Sequence, residues 1–213
     1  MGKIPNGILG ELIGKLGPVT GYVRNGQKLV RTAGTYSSPK STPRRLQQRE
    51  KIKVCNDFTR AFSRTGFFNK TFPSYGDTGT GYNRATSAIM NLAIMGSYPN
   101  TSISFPLVLI SRGPLPAAAN VATVANAEGN LLFTWGDNSG TGTARANDKV
   151  ILVAYFPAIN QMIYSINAAT RDDCQALLET KIMKGYEAET WIGFLNDAEK
   201  DAANSVYAGN VLL

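Results

Sequence analysis

The side chains that most often carry out chemistry in proteins are scarce in this sequence. None of its 213 residues is a histidine, which removes the commonest general base and the commonest metal ligand. Cys55 and Cys174 lie far apart and match no metal-binding or redox spacing. We therefore expect no nucleophilic triad, no zinc site and no cofactor. The two cysteines are interpreted as small buried hydrophobic residues in a reducing compartment, and a disulfide between them stays open.

One stretch resembles two catalytic motifs without completing either. Asp77-Thr78-Gly79 is the tripeptide that aspartic proteases carry. That chemistry needs two carboxylates that share a proton, and the sequence holds no second copy. Gly76, Gly79 and Gly81 are spaced loosely like a phosphate-binding loop, but no apolar strand precedes them and the lysine of a P-loop is missing. We interpret the stretch as a turn-rich loop.

Carboxylates also occur in close pairs near the C-terminus. Asp172 is followed by Asp173, and Glu187 lies two residues before Glu189. Such pairs on β-loops usually face water, so we expect solvation rather than a calcium site. The residue types therefore predict a protein that is not an enzyme and that has no small-molecule substrate.

The N-terminal segment, residues 1–34, is rich in glycine and basic. Its eight glycines argue against a helix, because each interior glycine costs about 1 kcal/mol relative to alanine. Asn25-Gly26 between two short alternating runs predicts a β-hairpin with a two-residue type I′ turn. Such an arm has little core of its own, so we expect it to dock on another subunit. The residues expected to serve this assembly are Ile8, Ile13, Leu16, Tyr22, Asn25 and Gly26.

The charge of the chain is divided between its two ends. Residues 1–70 contain 14 Lys and Arg against 3 Asp and Glu, whereas residues 71–213 contain 8 against 12. A basic end can neutralise phosphates or dock on the acidic part of a neighbouring copy. The candidate contacts to phosphate or to an acidic partner are Arg24, Lys28, Arg31, Arg44, Arg45 and Arg49.

A helical section is predicted for residues 35–101. Thr42 before Pro43 is typical of a helix start, and that helix should continue to about Ser63. A loop rich in glycine and aromatic residues follows, and a second helix is predicted from about Tyr82 to Met95.

From residue 102 onward the period changes to two and indicates β-strands separated by turn clusters. We predict an α+β chain whose residues 102–213 form an antiparallel β-sandwich of the fibronectin type III or immunoglobulin-like kind, able to fold alone. Trp135, Tyr155 and Trp191 should supply much of its core. The strand 131–135 should pair with the strand 150–155 at its centre. The predicted strands are 107–110, 121–124, 131–135, 149–156, 161–166, 176–181, 190–195 and 206–213.

Several stretches together resemble a known family. They are Gly7-Ile-Leu-Gly-Glu-Leu-Ile-Gly-Lys-Leu-Gly-Pro-Val-Thr-Gly-Tyr22, Thr42-Pro-Arg-Arg-Leu-Gln-Gln-Arg49, Ser97-Tyr-Pro99, Leu109-Ile-Ser-Arg-Gly-Pro-Leu-Pro116, Phe133-Thr-Trp-Gly-Asp-Asn-Ser-Gly140 and Asn204-Ser-Val-Tyr-Ala-Gly209. The chain resembles an uncharacterised bacterial family known only as a domain of unknown function. The resemblance covers nearly the whole chain and implies no activity. The family pattern has Gly-Phe-Ser before Gly-Lys, where this chain has Glu11-Leu-Ile13.

The sequence thus predicts a non-enzymatic structural protein that assembles with copies of itself or with other structural subunits. A phage-type virion or tail component, or a filament, fits best. The alternative is a nucleic-acid-binding protein that uses the basic arm and the first helix. No apolar stretch is long enough to span a bilayer, so we expect a cytoplasmic protein, or one within a virion assembled there, that contacts no membrane.

Overall fold

The computed structural model describes residues 3–4, 10–24, 26–34, 41–63, 65–76 and 79–213. The chain divides into two compact units, residues 1–41 and residues 42–213. The predicted boundaries at 34/35 and 101/102 therefore differ from the division in the structure, which lies at 41/42.

The smaller unit contains a three-stranded antiparallel sheet with the order β1-β2-β3. Its strands are β1 (Gly14–Leu16), β2 (Val19–Arg24) and β3 (Gln27–Thr32). Arg24 lies opposite Gln27, so a two-residue loop joins β2 to β3, as the Asn-Gly pair predicts. Gly26 has a φ of +77°, a conformation that glycine adopts without steric cost. Asn25 lies outside the described residues.

The first and third helices of the larger unit begin close to where the sequence predicts. They are α1 (Pro43–Thr59), α2 (Phe67–Thr71) and α3 (Gly81–Leu92). The side chain of Thr42 accepts a hydrogen bond from the backbone N–H of Arg45, which confirms the predicted N-cap. The short helix α2 lies in a stretch predicted as a loop, and it forms because Phe67 and Phe68 are buried in the core.

A β-hairpin follows directly after α3 and shortens it relative to the prediction. Its strands are β4 (Ile94–Ser97) and β5 (Asn100–Ile103). The predicted boundary at 101/102 falls inside β5. The strand predicted for 107–110 does not form, and a 3₁₀ turn occupies residues 105–107 instead.

Two antiparallel sheets form the predicted β-sandwich of this α+β chain. The three-stranded sheet has the order β10-β7-β6, and the four-stranded sheet has the order β12-β11-β8-β9. The first contains β6 (Ala119–Ala125), β7 (Leu131–Gly136) and β10 (Gln175–Leu178). The second contains β8 (Lys149–Phe156), β9 (Gln161–Thr170), β11 (Glu187–Leu195) and β12 (Val206–Leu212).

The predicted pairing of the strand 131–135 with the strand 150–155 is wrong. These strands are β7 and β8, which belong to opposite sheets, and β8 pairs with β9 and β11 instead. The segment 137–148 between them is too long for a tight hairpin turn and carries the chain across to the other sheet. Phe133 of β7 and Leu152 of β8 meet across the core rather than along a shared edge.

The four-stranded sheet is buried on both faces. Val150, Leu152 and Phe156 pack toward the three-stranded sheet, while Val153 and Tyr155 pack in a second cluster with the helices. Strand β8 is therefore a continuous apolar run rather than an alternating one, because neither face meets water. Trp135, Tyr155 and Trp191 are all buried as predicted, but Trp135 lies in the cluster between the sheets and the other two lie in the cluster with the helices.

An aromatic cluster joins the helical section to the sandwich. The ring centroid of Phe58 lies 4.9 Å from that of Tyr155 and 6.2 Å from that of Trp191. The centroid of Phe67 lies 5.0 Å from that of Tyr164. The helices therefore cover one face of the sandwich, and residues 102–213 belong to the same compact unit as the helices.

The two cysteines do not form a disulfide with each other. Cys55 is fully buried in the aromatic cluster, as predicted, and its burial raises the pKa of the thiol to about 11. Cys174 is only half-buried, at a residue whose φ is +58°.

Candidate interaction surface

The strand register of the N-terminal sheet sorts its side chains onto two faces. Residues directly opposite each other share a face, and neighbours along a strand alternate between faces. Val19 faces Leu16, and Gly21 faces Val30. We call this side the apolar face, and its members are Leu16, Val19, Val23, Lys28, Val30 and Thr32. The other side, the basic face, contains Lys15, Thr20, Tyr22, Arg24, Gln27, Leu29 and Arg31.

The apolar face leaves three large aliphatic side chains in water. Leu16 is 49% exposed, Val23 54% and Val30 63%. Between them Gly21 is buried, and a Cβ atom at this position would overlap the carbonyl oxygen of Leu12. Leu12 therefore crosses directly over the sheet at Gly21, and glycine is required there by close approach of the backbone.

The apolar face carries one cation, and that cation is neutralised. The Nζ atom of Lys28 lies 2.6 Å from Oε1 of Glu11. Lys28 was grouped by its charge with Arg24 and Arg31, but the register places it on the opposite side of the sheet from both. The predicted phosphate contacts of the arm therefore do not form one patch.

The basic face keeps its cations unpaired within the described part of the chain. Lys15, Arg24 and Arg31 make no ion pair with a described carboxylate. The guanidinium carbon of Arg31 lies 5.5 Å from the centroid of the Tyr22 ring, a cation–π arrangement. This face therefore joins positive charge to an aromatic surface.

The other predicted contact residues belong to different faces of the sheet or to the larger unit. Leu16 and Tyr22, both expected to serve assembly, lie on opposite faces of the sheet. Ile13 is 45% exposed and pairs with Lys3 through two backbone hydrogen bonds. Ile8 lies outside the described residues, as does Asn25. Arg44, Arg45 and Arg49 are exposed on α1, in the larger unit.

Val23 and Val30 were not among the predicted assembly residues. The signal for them was present, because the turn at residues 25 and 26 fixes the register of β2 against β3. That register places Val30 opposite Gly21 and diagonal to Val23.

Two further observations bear on the kind of site. No group of three or more Cys, Asp and Glu side chains among the described residues is placed to hold a metal ion. None of the described helices is both long enough and apolar enough to pass through a bilayer.

Comparison with known proteins gives the family. The profile of a family of unknown function, DUF6266, matches residues 11–209. The chain belongs to this family. The match to DUF6266 confirms the resemblance drawn from the sequence motifs. No curated protein matches the chain.

Among solved structures, the chain is similar to the crystal structure of the chicken CNTN1 FN1–FN3 domains, with a TM-score of 0.34 and 9% sequence identity. The similar region covers 46% of this DUF6266 chain and 32% of the chicken chain, so the match spans about a third of that structure.

Proposed function

We propose that this protein is a non-enzymatic structural subunit that assembles with copies of itself through the apolar face of its N-terminal sheet. The observation that carries the proposal is the exposure of Leu16, Val23 and Val30 on one face of a three-stranded sheet. Burial of apolar surface stabilises a contact by about 25 cal/mol of free energy for each Å² removed from water. Single exposed aliphatic residues are normal, but a group on one face is typical of an interaction site.

Charge favours a second copy as the occupant of this face. The ion pair between Lys28 and Glu11 leaves the apolar face without net charge, so two copies can meet there without repulsion. The basic face, with Lys15, Arg24 and Arg31, would repel its own copy. A contact between two apolar faces is isologous, because the same patch is used on both chains.

An isologous contact closes at a dimer, so a larger assembly needs a second surface. The outer side of the three-stranded sheet offers one. Val124, Leu132 and Leu177 lie in register across its three strands, with Val124 55% and Leu177 46% exposed. Two such surfaces would suit a phage-type virion or tail component, or a filament, assembled in a cytoplasm.

The experiment compares two lysine substitutions on the same strand. Val30→Lys places a charge on the apolar face, while Gln27→Lys places the same charge on the opposite, already basic face. We expect sedimentation equilibrium to show self-association of the wild type, weakened about tenfold or more by Val30→Lys. Gln27→Lys should leave the association constant unchanged. A wild type that remains monomeric at high micromolar concentration, or equal behaviour of the two variants, would contradict the proposal.

The basic face supports a second candidate function, nucleic-acid binding. Its three cations have no described carboxylate partner, and Tyr22 adds a ring on which a base could stack. Arg44 and Arg45 on α1 could contribute further phosphate contacts. The salt dependence of binding, considered in the Discussion, separates this candidate from self-assembly.

A further inference from the structure

A cleft of about 620 Å³ lies in the larger unit. Four segments meet around it: the end of α2, the first turns of α3, the loop before β6 and the segment between β11 and β12. Its described lining residues are Phe72, Pro73, Tyr75, Arg84, Ser87, Arg112, Gly113, Pro114 and Asn204. The volume is within the range of small-molecule sites, about 300–1,000 Å³.

Backbone hydrogen bonds fix the walls of this cleft. The N–H of Arg112 donates to the carbonyl oxygen of Thr71 at 3.0 Å. The N–H of Gly113 donates to Oδ1 of Asn204 at 3.3 Å, and that of Ile110 donates to Oγ of Ser205 at 2.9 Å. Two of the stretches that carry the family resemblance, 109–116 and 204–209, therefore meet at this cleft.

Tyr75 is held in the cleft at the cost of backbone strain. Its φ is +40°, which is rare for an aromatic residue. Its hydroxyl accepts a hydrogen bond from the N–H of Ala202 at 3.1 Å. A Cβ atom on Gly113 would overlap the backbone carbonyl oxygen of Ala202 and lie 2.6 Å from the Tyr75 hydroxyl oxygen, so glycine is required there. The ring remains 52% exposed and is available to a ligand.

Two arginines give the cleft its charge. Arg84 donates from Nε and Nη2 to the carbonyl oxygen of Phe72, at 3.0 and 2.6 Å, and from Nη1 to that of Gly79 at 3.0 Å. These three bonds orient the guanidinium of Arg84. Two of its five N–H groups remain to donate to a ligand. The guanidinium of Arg112 has no hydrogen bond or ion pair within the described part of the chain.

The described lining contains no negative charge to balance these cations. Asp201 lies near the Tyr75 hydroxyl, but it is not among the described lining residues. Burial is the main cause that raises the pKa of Tyr75, so the phenol stays neutral at physiological pH. The described lining residues of the cleft thus present the two arginines beside an apolar wall of Phe72, Pro73 and Pro114.

We propose that this cleft binds a ligand that carries a carboxylate next to an apolar ring. The planar guanidinium donates two parallel hydrogen bonds to a carboxylate, and its rigid fork loses little entropy for each bond formed. Arg112 supplies the free guanidinium, Arg84 adds a fixed positive charge, and the ring of the ligand packs against Tyr75 and the prolines. Such a group occurs on small aromatic acids and at the C-terminus of a peptide chain that ends in an aromatic residue.

The test uses benzoate, its neutral counterpart benzamide and N-acetyl-phenylalanine as probes of the full chain. We expect NMR titration to show benzoate binding with shifts at Tyr75, Arg112 and Gly113, and benzamide binding about tenfold more weakly or worse. Tighter binding of N-acetyl-phenylalanine than of benzoate would assign the ligand to a peptide terminus, and the reverse order to a small acid. Equal binding of benzoate and benzamide, or the absence of binding by all three probes, would overturn the proposal.

Arg112→Gln is the decisive variant because its side chain is exposed and its backbone hydrogen bond is retained. It should lower benzoate affinity about tenfold or more while the melting temperature stays unchanged. The matched control is Arg60→Gln, an exposed arginine outside the lining, which should bind like the wild type. Asp77→Asn removes a carboxylate close in sequence to Tyr75, and it should bind benzoate at least as well. Loss of benzoate binding in Arg60→Gln or in Asp77→Asn would contradict the proposal.

Discussion

Arg171 and Asp148 form an ion pair that has almost no contact with solvent. Nε of Arg171 donates to Oδ2 of Asp148 at 3.0 Å, and the two side chains are 0% and 1% exposed. The guanidinium carbon lies 3.7 Å from the ring centroid of Phe194. Further bonds from Arg171 to Asn138 and to the Pro116 carbonyl complete the site. Burial lowers the pKa of Arg171, and the charge of Asp148 opposes this change.

We expect Asp148→Asn to destabilise the larger unit strongly. The substitution leaves Arg171 buried without its counter-charge, and breaking one side of a buried pair typically costs about 3–5 kcal/mol. Urea denaturation followed by tryptophan fluorescence measures this cost. Asp197→Asn, an exposed carboxylate in a nearby loop, should change the free energy of unfolding by less than about 0.5 kcal/mol. Equal effects of the two substitutions would show that the pair is not buried.

Because the aromatic cluster joins the helices to the sandwich, we expect only a fragment that keeps both to fold. A fragment of residues 42–213 retains the helices and should melt at the same temperature as the full chain. A fragment of residues 102–213 would expose Val153, Tyr155 and Trp191, and full burial of each such side chain contributes about 1.5–3 kcal/mol. We expect this shorter fragment to bind a hydrophobic dye and to lack a cooperative thermal transition by circular dichroism. A cooperative transition in residues 102–213 would restore the independent sandwich predicted from the sequence.

Glu199 connects α2 to strand β8 and should make stability depend on pH. Its carboxylate accepts hydrogen bonds from Nζ of Lys70 and of Lys149, both at 3.0 Å, and these bonds lower its pKa. A lowered carboxyl pKa stabilises the fold above the ordinary pKa of glutamate, and the contribution disappears as pH falls through the folded-state value.

We therefore expect Glu199→Gln to cost about 1 kcal/mol or less at pH 7, because the pair is partly exposed to solvent. The difference from the wild type should shrink to zero in acid, as measured by urea denaturation at a series of pH values. Glu179→Gln, an exposed glutamate without a described ion pair, serves as the control. A difference that persists at low pH would show that the two lysines are not responsible.

Salt dependence distinguishes the two functions considered for the N-terminal sheet. If nucleic acid binds the basic face, Arg31→Ala should reduce the log–log salt slope on duplex DNA by about 0.9. Arg44→Ala and Arg45→Ala should act in the same way if α1 also contributes. Lys28→Ala is the matched control on the same strand, because Lys28 lies on the other face and is paired with Glu11. We expect only weak binding at physiological salt, and a dissociation constant below about 1 µM there would favour the nucleic-acid function instead.

Part of the interaction surface could be predicted and part could not. The hairpin of residues 19–32 followed from the Asn25-Gly26 pair, and Leu16, predicted to serve assembly, is exposed. Leu16 and Tyr22, predicted together, lie on opposite faces of the sheet because they belong to different strands, whose register decides the face that each residue occupies. The cleft at Arg84 and Arg112 gave no sequence signal, since its walls come from four segments that are distant in the chain.

The sequence by itself determined the local elements of this protein. Thr42 and Pro43 start a helix, the Asn-Gly pair makes a hairpin, and alternating apolar residues form strands, because these signals act over a few neighbouring residues. Only the tertiary structure decided that β7 and β8 belong to different sheets, that helices cover the second face of β8, and that Arg171 meets Asp148. Each of these outcomes depends on which apolar surfaces pack together, and on which charged residues meet, between segments that are distant in the sequence. Many such pairings satisfy the same local pattern, and the packing of the whole core selects one of them.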